Sequence, residues 1–134
     1  MDDAGRDTVE QARAARASGR LAEAAALYEE AGRSGEPQVR AHRLRHAGEI
    51  WLELVRLDRA EAALETALAG YRGLAAAPAL DLANALRPLG LLREAQGRKE
   101  EARDAWAEAG RLYAEAGVAA GARESERRTR ALAT

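Results

Sequence analysis

The sequence predicts an all-α protein: three antiparallel helix pairs stacked on one another, plus a C-terminal capping helix. Two observations carry this. One pattern recurs three times, beginning at Gly19-Arg20-Leu21, Val55-Arg56-Leu57 and Gly97-Arg98-Lys99, with offsets of 36 and 42 residues. Each copy reaches a small residue (Ala24, Ala60, Ala102), a large one four further on (Tyr28, Leu64, Trp106), and Ala again three later (Ala31, Ala67, Ala109). Twelve residues before the first Ala sits another small residue (Ala12, Gly48, Gly90). A period of this length, made of two helices, is the mark of a helical repeat array. The second observation is composition. Ala is abundant, Phe is absent, Pro occurs three times, and β-branched residues are too few to build a sheet.

The elements follow in order. The spacing predicts a first helix over about Thr8 to Ser18, with Asp7 as N-cap and Glu10 completing a capping box, ended by Gly19. A second runs from about Leu21 to Arg33, its apolar stripe formed by Leu21, Ala24, Ala25, Leu27, Tyr28 and Ala31. Ser34-Gly35-Glu36-Pro37 is a loop, and Pro37 opens a third helix to about Leu54. Asp58 caps a fourth to about Gly73, and residues 74–78 link to the third pair. A fifth helix, about Leu80 to Gln96, contains Pro88 and is expected to kink there. A sixth spans about Lys99 to Ala116. A polar seventh, about Val118 to Leu132, supplies the hydrophilic end that a repeat array needs. The whole is read as one domain, 1–134, with repeats at about 5–36, 41–76 and 79–116 and the capping helix at about 118–132.

The small residues have a mechanical reason. Two helices approach to ~8 Å only where the contact residues are small. Ala24, Ala60 and Ala102 are therefore placed facing Ala12, Gly48 and Gly90, with Tyr28, Leu64 and Trp106 filling the gap toward the next pair. Trp51, Trp106, Tyr28, Tyr71 and Tyr113 are read as core, and the pairs Glu29-Glu30 and Glu100-Glu101 as solvated surface.

These residues resemble the tetratricopeptide repeat family. The third copy carries it best, through Leu89-Gly90, Gly97, Ala102, Trp106 and Ala109. The second shows Ala47-Gly48, Trp51, Leu57, Ala60, Leu64 and Ala67; the first keeps Ala12, Gly19, Leu21, Ala24, Tyr28 and Ala31. The match covers roughly residues 7 to 116, and the departures are the longer spacings and Pro88. The resemblance implies a right-handed superhelical stack whose concave face is lined by the first helix of each pair. It also implies an adaptor that holds a peptide or a partner helix in that groove.

On that fold, the groove would be lined by Arg6, Val9, Arg13 and Arg16 from the first helix. The third would add His42, Arg45, His46, Glu49 and Glu53, and the fifth Asn84, Arg87, Leu91 and Glu94. The partner-binding set is Arg13, Arg16, His42, Arg45, His46, Glu49, Arg87 and Leu91. Arg grips carboxylates through a planar fork, so an acidic partner segment is the sharp expectation. The bland one is a solvated face whose charges pair with each other, and it is the favoured of the two. His42 and His46, four residues apart, place two imidazoles on one helical face, where Glu49 and, from the neighbouring helix, Glu10 are further ligands for a metal. Surface His pairs at this spacing are usually incidental, so no metal is assigned.

No catalytic constellation or cofactor motif is present in the sequence. Without Cys there is neither a disulfide nor a thiolate site. A net charge of −1 disfavours nucleic acid as partner, and no apolar run approaches membrane-spanning length. The expectation is a non-enzymatic cytoplasmic interaction module with a protein or peptide partner. The alternative is a self-associating structural or regulatory subunit, such as a homodimer formed through Ala-rich helix faces, with no ligand groove of its own.

Overall fold

The computed structural model describes residues 2–133; Met1 and Thr134, the ends of the expected domain, lie outside them. The described residues form seven helices and no strand: α1 (Asp3–Ala17), α2 (Leu21–Ala31), α3 (Pro37–Glu53), α4 (Leu57–Arg72), α5 (Ala79–Ala95), α6 (Lys99–Glu115) and α7 (Ala119–Leu132). They divide into two compact units, one ending at Leu74 and holding α1–α4, the other starting at Ala75 and holding α5–α7. Within each unit consecutive helices pack on one another.

One turn design recurs four times. At Gly19, Val55, Gly97 and Gly117 the backbone enters the left-handed region, with φ of 79°, 58°, 74° and 78°. Each time the residue in that conformation donates its N–H three residues back, as Gly19 to the Arg16 carbonyl at 3.0 Å, and the next residue donates five back, as Arg20 to Ala15 at 2.9 Å. These are the two bonds of a Schellman closure, which satisfies carbonyls at the helix end. Three copies use Gly. The fourth places β-branched Val55 there, 71% exposed, in a conformation its Cβ disfavours.

The small positions form the core seams. Ala12, Ala24, Ala60 and Ala102 are fully buried. A Cβ on Gly48 would fall 2.6 Å from Leu64 Cγ, and one on Gly90 would fall 2.7 Å from the Trp106 ring. Leu64 and Trp106 each rest on the glycine of their own pair, because only a residue without Cβ leaves room for them there. Trp106 also meets α7, where the Arg128 guanidinium lies 5.3 Å from its ring. Tyr28 likewise reaches onward, to α3, where it stacks on His46. In the second unit Gly121 of α7 seats the Tyr113 ring in the same manner, 2.6 Å from the Cβ position. The polar α7 buries only Ser125, against Gly110.

The predicted caps are corrected. Helix α1 begins at Asp3, so Asp7 lies inside it, and α4 follows Arg56, with Asp58 in its first turn instead of at its cap. The residue preceding α1, Asp2, makes no side-chain cap bond. Its carboxylate is held by Arg43 at 2.6 Å and by the Ser34 hydroxyl at 2.8 Å. Arg43 is itself buried and also donates to the Ala31 and Ser34 carbonyls at 3.1 and 3.0 Å. A buried guanidinium needs such partners, and here they tie the start of α1 and the α2–α3 loop to α3. In α5, Pro88 is buried and helix continues on both sides of it.

Two substitutions test this account by thermal melting. Val55→Gly should stabilise by about 1 kcal/mol, because it relieves a left-handed β-branched residue at slight entropic cost. Gly90→Ala should destabilise by about 1–3 kcal/mol, because the Trp106 ring cannot yield to a new methyl group; an unchanged midpoint would refute the seam.

Candidate partner-binding clefts

The first unit carries a cleft of about 420 Å³ formed by α1, α2 and α3. Its apolar surface comes from Val9, Val39 and Tyr28, and its polar rim from Arg6, Glu10, Arg13, Arg43, His42 and His46. Helical spacing explains the set. The adjacent Val9 and Glu10 each stand three or four residues from Arg6 and from Arg13 along α1, and His42 and Arg43 stand likewise between Val39 and His46 along α3.

The two imidazoles are held differently. His42 Nδ1 lies 2.5 Å from the Tyr71 hydroxyl. His46 stacks on Tyr28, with ring centroids 5.1 Å apart and 26° between planes. Its Nδ1 is sealed from solvent without a hydrogen-bond partner, while the ring as a whole is 39% exposed. The nearest acid, Glu49, stands 3.6 Å from that nitrogen and is bonded to Arg45 at 3.1 Å. Burial, followed by the positive charges of Arg45 and Arg16 and the neighbouring His42 and Arg13, lowers the His46 pKa from its ordinary 6.5 to about 4. The ring is therefore neutral at physiological pH, in a cationic neighbourhood.

The arginines are engaged at the surface. Arg6 pairs with Asp3, Arg13 with Glu10 at 3.0 Å, and Arg16 with Glu53 at 3.3 Å. All three pairs are well exposed, so each contributes little to stability.

The second unit carries a cleft of about 440 Å³ bordered by Leu80, Asn84 and Arg87 of α5, Tyr113 of α6, and Gly121 and Glu124 of α7. Here Arg87 grips Glu124 with two bonds, Nε at 2.7 Å and a terminal nitrogen at 3.1 Å. That grip holds the Glu124 carboxyl below the usual carboxylate range. Tyr113 donates to Asn84 Oδ1 at 2.8 Å. Glu94 accepts from Trp106 Nε1 at 2.7 Å and from Arg128 at 3.2 Å. A further cleft of about 430 Å³ opens between α6 and α7, mostly over small residues such as Ala107, Gly110, Ala114 and Ala122.

Of the residues singled out from sequence, Arg13, His42 and His46 line the first cleft and Arg87 the second. Arg16, Arg45 and Glu49 lie outside the cleft walls, and Leu91 is half-buried on α5. His42, His46, Glu49 and Glu10 do not converge on a metal position, and no group of three such side chains does so among the described residues. Tyr71 and Tyr28 hold the two rings at separate stations, and Arg45 takes the Glu49 carboxylate. Glu29, read as solvated, instead accepts the buried Trp51 indole N–H at 2.6 Å.

The sequence reading missed Arg43. The signal was there, since Arg43, Ala47, Ile50 and Trp51 form one apolar stripe at helical spacing, and a charge on such a stripe must be buried with partners. Comparison with protein-family models and with curated proteins finds no match.

The depressed His46 pKa makes stability depend on pH. The fold favours the neutral ring, so the contribution is complete above pH 6.5 and is lost as pH falls toward about 4. Discounted for the exposed ring edge, the loss should be about 1–2 kcal/mol. Denaturant titrations at pH 7 and pH 4.5 should show a smaller drop for His46→Phe than for the native protein.

Proposed function

We propose that this chain is a tetratricopeptide-type interaction module, its helix pairs continuing into a right-handed superhelical stack, and that it acts by binding a partner protein, without catalysis, in the cytoplasm. The observation that carries the reading is the α1–α3 cleft, where an apolar floor of Val9, Val39 and Tyr28 is rimmed by exposed Arg6 and Arg13 and by the two imidazoles. Such a surface suits an extended segment or one helix face, with apolar anchoring at the centre and charge at the edge. The left-handed turns at Gly19, Val55 and Gly97 and the glycine seats beneath Leu64 and Trp106 support the family reading, because they recur at the repeat spacing. Among the described residues no helix is long and apolar enough to cross a membrane.

The cleft's ionisable groups are held in stacks and ion pairs that shape a surface, which suits recognition better than chemistry. The self-association reading draws on a different observation, the small-residue cleft between α6 and α7, which would seat a helix of a second copy. Sedimentation equilibrium at micromolar concentration separates the two: a monomer removes that second reading.

Photocrosslinking in the native host tests the first. A benzophenone amino acid at Val39, in the cleft, should capture a distinct polypeptide, and the same group at Ala62, exposed on α4, should not. Arg13→Glu should reduce capture at Val39 about tenfold, the effect of losing one charged contact. Equal capture at both positions would overturn the proposal.

A further inference from the structure

Helix α7 is held differently from the other two helices of its unit. Helix α5 buries Leu86 and Leu92, and α6 buries Trp106, Ala109 and Tyr113. Helix α7 buries one residue, Ser125, whose hydroxyl is sealed without a hydrogen-bond partner. Beyond the close seats at Gly110 and Gly121, charge fixes it. Arg87 of α5 takes Glu124 in two bonds at 2.7 and 3.1 Å. Arg128 reaches back to Glu94 of α5 at 3.2 Å, its guanidinium 5.3 Å from the Trp106 ring. The side chains of these two pairs are 43% and 24%, and 39% and 27%, exposed, so salt screens both.

One connection joins α7 to α6, the turn at 116–118, where Gly117 sits at φ 78°. A Cβ on Gly117 would meet nothing within 4 Å, so the turn rests on backbone conformation alone. Once that residue takes helical φ, α6 runs straight on and carries α7 away from α5. The surface left behind has a definite shape and charge. It presents the Trp106 ring that Arg128 covers, the Tyr113 ring that Gly121 covers, and the Arg87 fork that grips Glu124. The segment that fits it residue for residue is α7.

We infer that α7 is an exchangeable element: it lifts from α5 and α6 as a unit, and the surface beneath it receives α7 of a second copy of this chain. The product is a swapped dimer. Every contact between α7 and its seat is remade between copies, so only the turn and the entropy of association separate the two forms. The inference rests on the self-association reading above and names the element that the copies share.

Reversing charge across the α5–α7 pair tests it. Arg87→Glu sets two carboxylates against each other, and Glu124→Arg sets two guanidiniums. Each variant alone should stay monomeric by sedimentation equilibrium, with the remaining helices kept by circular dichroism. Mixed in equal amounts they should form a one-to-one dimer, because only between copies does each α5 meet an α7 of opposite sign. Two restored pairs at about tenfold each should favour that heterodimer about a hundredfold over either homodimer. In the otherwise native chain, Gly117→Ala should raise the dimer fraction about tenfold, since Ala resists the left-handed turn and favours the continuous helix. Gly97→Ala, a like strain at the α5–α6 turn with as much open space, should not, because α6 is held by its buried rings. The sequence has no Cys, so Gly110→Cys with Ser125→Cys, whose Cβ positions lie 3.1 Å apart, reads the connectivity. The disulfide should join two chains in the dimer and close within one chain in the monomer. Should a charge variant unfold, Gly117→Ala and the disulfide decide. A mixture that stays monomeric, or a dimer whose disulfide closes within each chain, would overturn the inference; where the native chain still dimerises, self-association stands at another face. Monomers throughout would overturn both.

Discussion

The close approach of paired helices is the constraint on which the rest of the structure depends. At Gly48 and Gly90 the facing side chain occupies the space a Cβ would need, Leu64 in one case and the Trp106 ring in the other. At Gly121 the Tyr113 ring does the same. Each seat lets a large side chain lie close against the neighbouring helix backbone, which buries its apolar surface. In two of them it also fixes where a polar tip emerges. Trp106, lying on Gly90, directs its N–H to Glu94 on the same helix as that glycine, and Tyr113, lying on Gly121, directs its hydroxyl to Asn84. The polar borders of the clefts are therefore set from within the core.

The same rule governs the buried charges. Arg43 and Arg93 are both nearly inaccessible, and each is answered by an acid and by further acceptors near a helix end. Arg43 meets Asp2 and two carbonyls; Arg93 meets Glu101 and the Gln96 amide. An unanswered guanidinium in these places would cost several kcal/mol. Arg43 also forms part of the wall of the first cleft, so a group fixed by packing lends it positive charge without being free to move.

The helices were legible because their apolar positions recur at three- and four-residue steps and their turns carry Gly at the left-handed position. Val55 was legible as a turn but not as a strained one, since nothing local distinguishes a Val forced to positive φ from one in a helix. The start of α1 was misread because Asp7 followed by Glu10 looks like a capping box; the deciding partners, Ser34 and Arg43, lie more than thirty residues away. Leu64 and Trp106 were assigned to the core, but how closely they seat on Gly48 and Gly90 was not legible, because spacing gives a face and not a rotamer. The candidate site was legible as far as its face, which supplied Val9, Arg13, His42 and His46. Its closure was not, for Arg87 and Arg13 read alike in sequence while only Arg87 has a carboxylate across its cleft.

Two clefts of common design can diverge this far because of a difference in length that preserves orientation. Helix α2 has 11 residues and α6 has 17, while the turn after α6 is two residues shorter than the loop after α2. The net shift of four residues between α3 and α7 is close to one helical turn. A shift of one turn leaves the same face of the helix toward the cleft but exchanges which residue stands at each height. His46 then lies over the aromatic where Arg128 lies in the other unit, and His42 faces Val9 where Glu124 faces Arg87. A shift of two residues would have turned the face outward and lost the cleft. The repeat architecture thus tolerates whole-turn changes in its helices and connections without disturbing the seams that hold the pairs together.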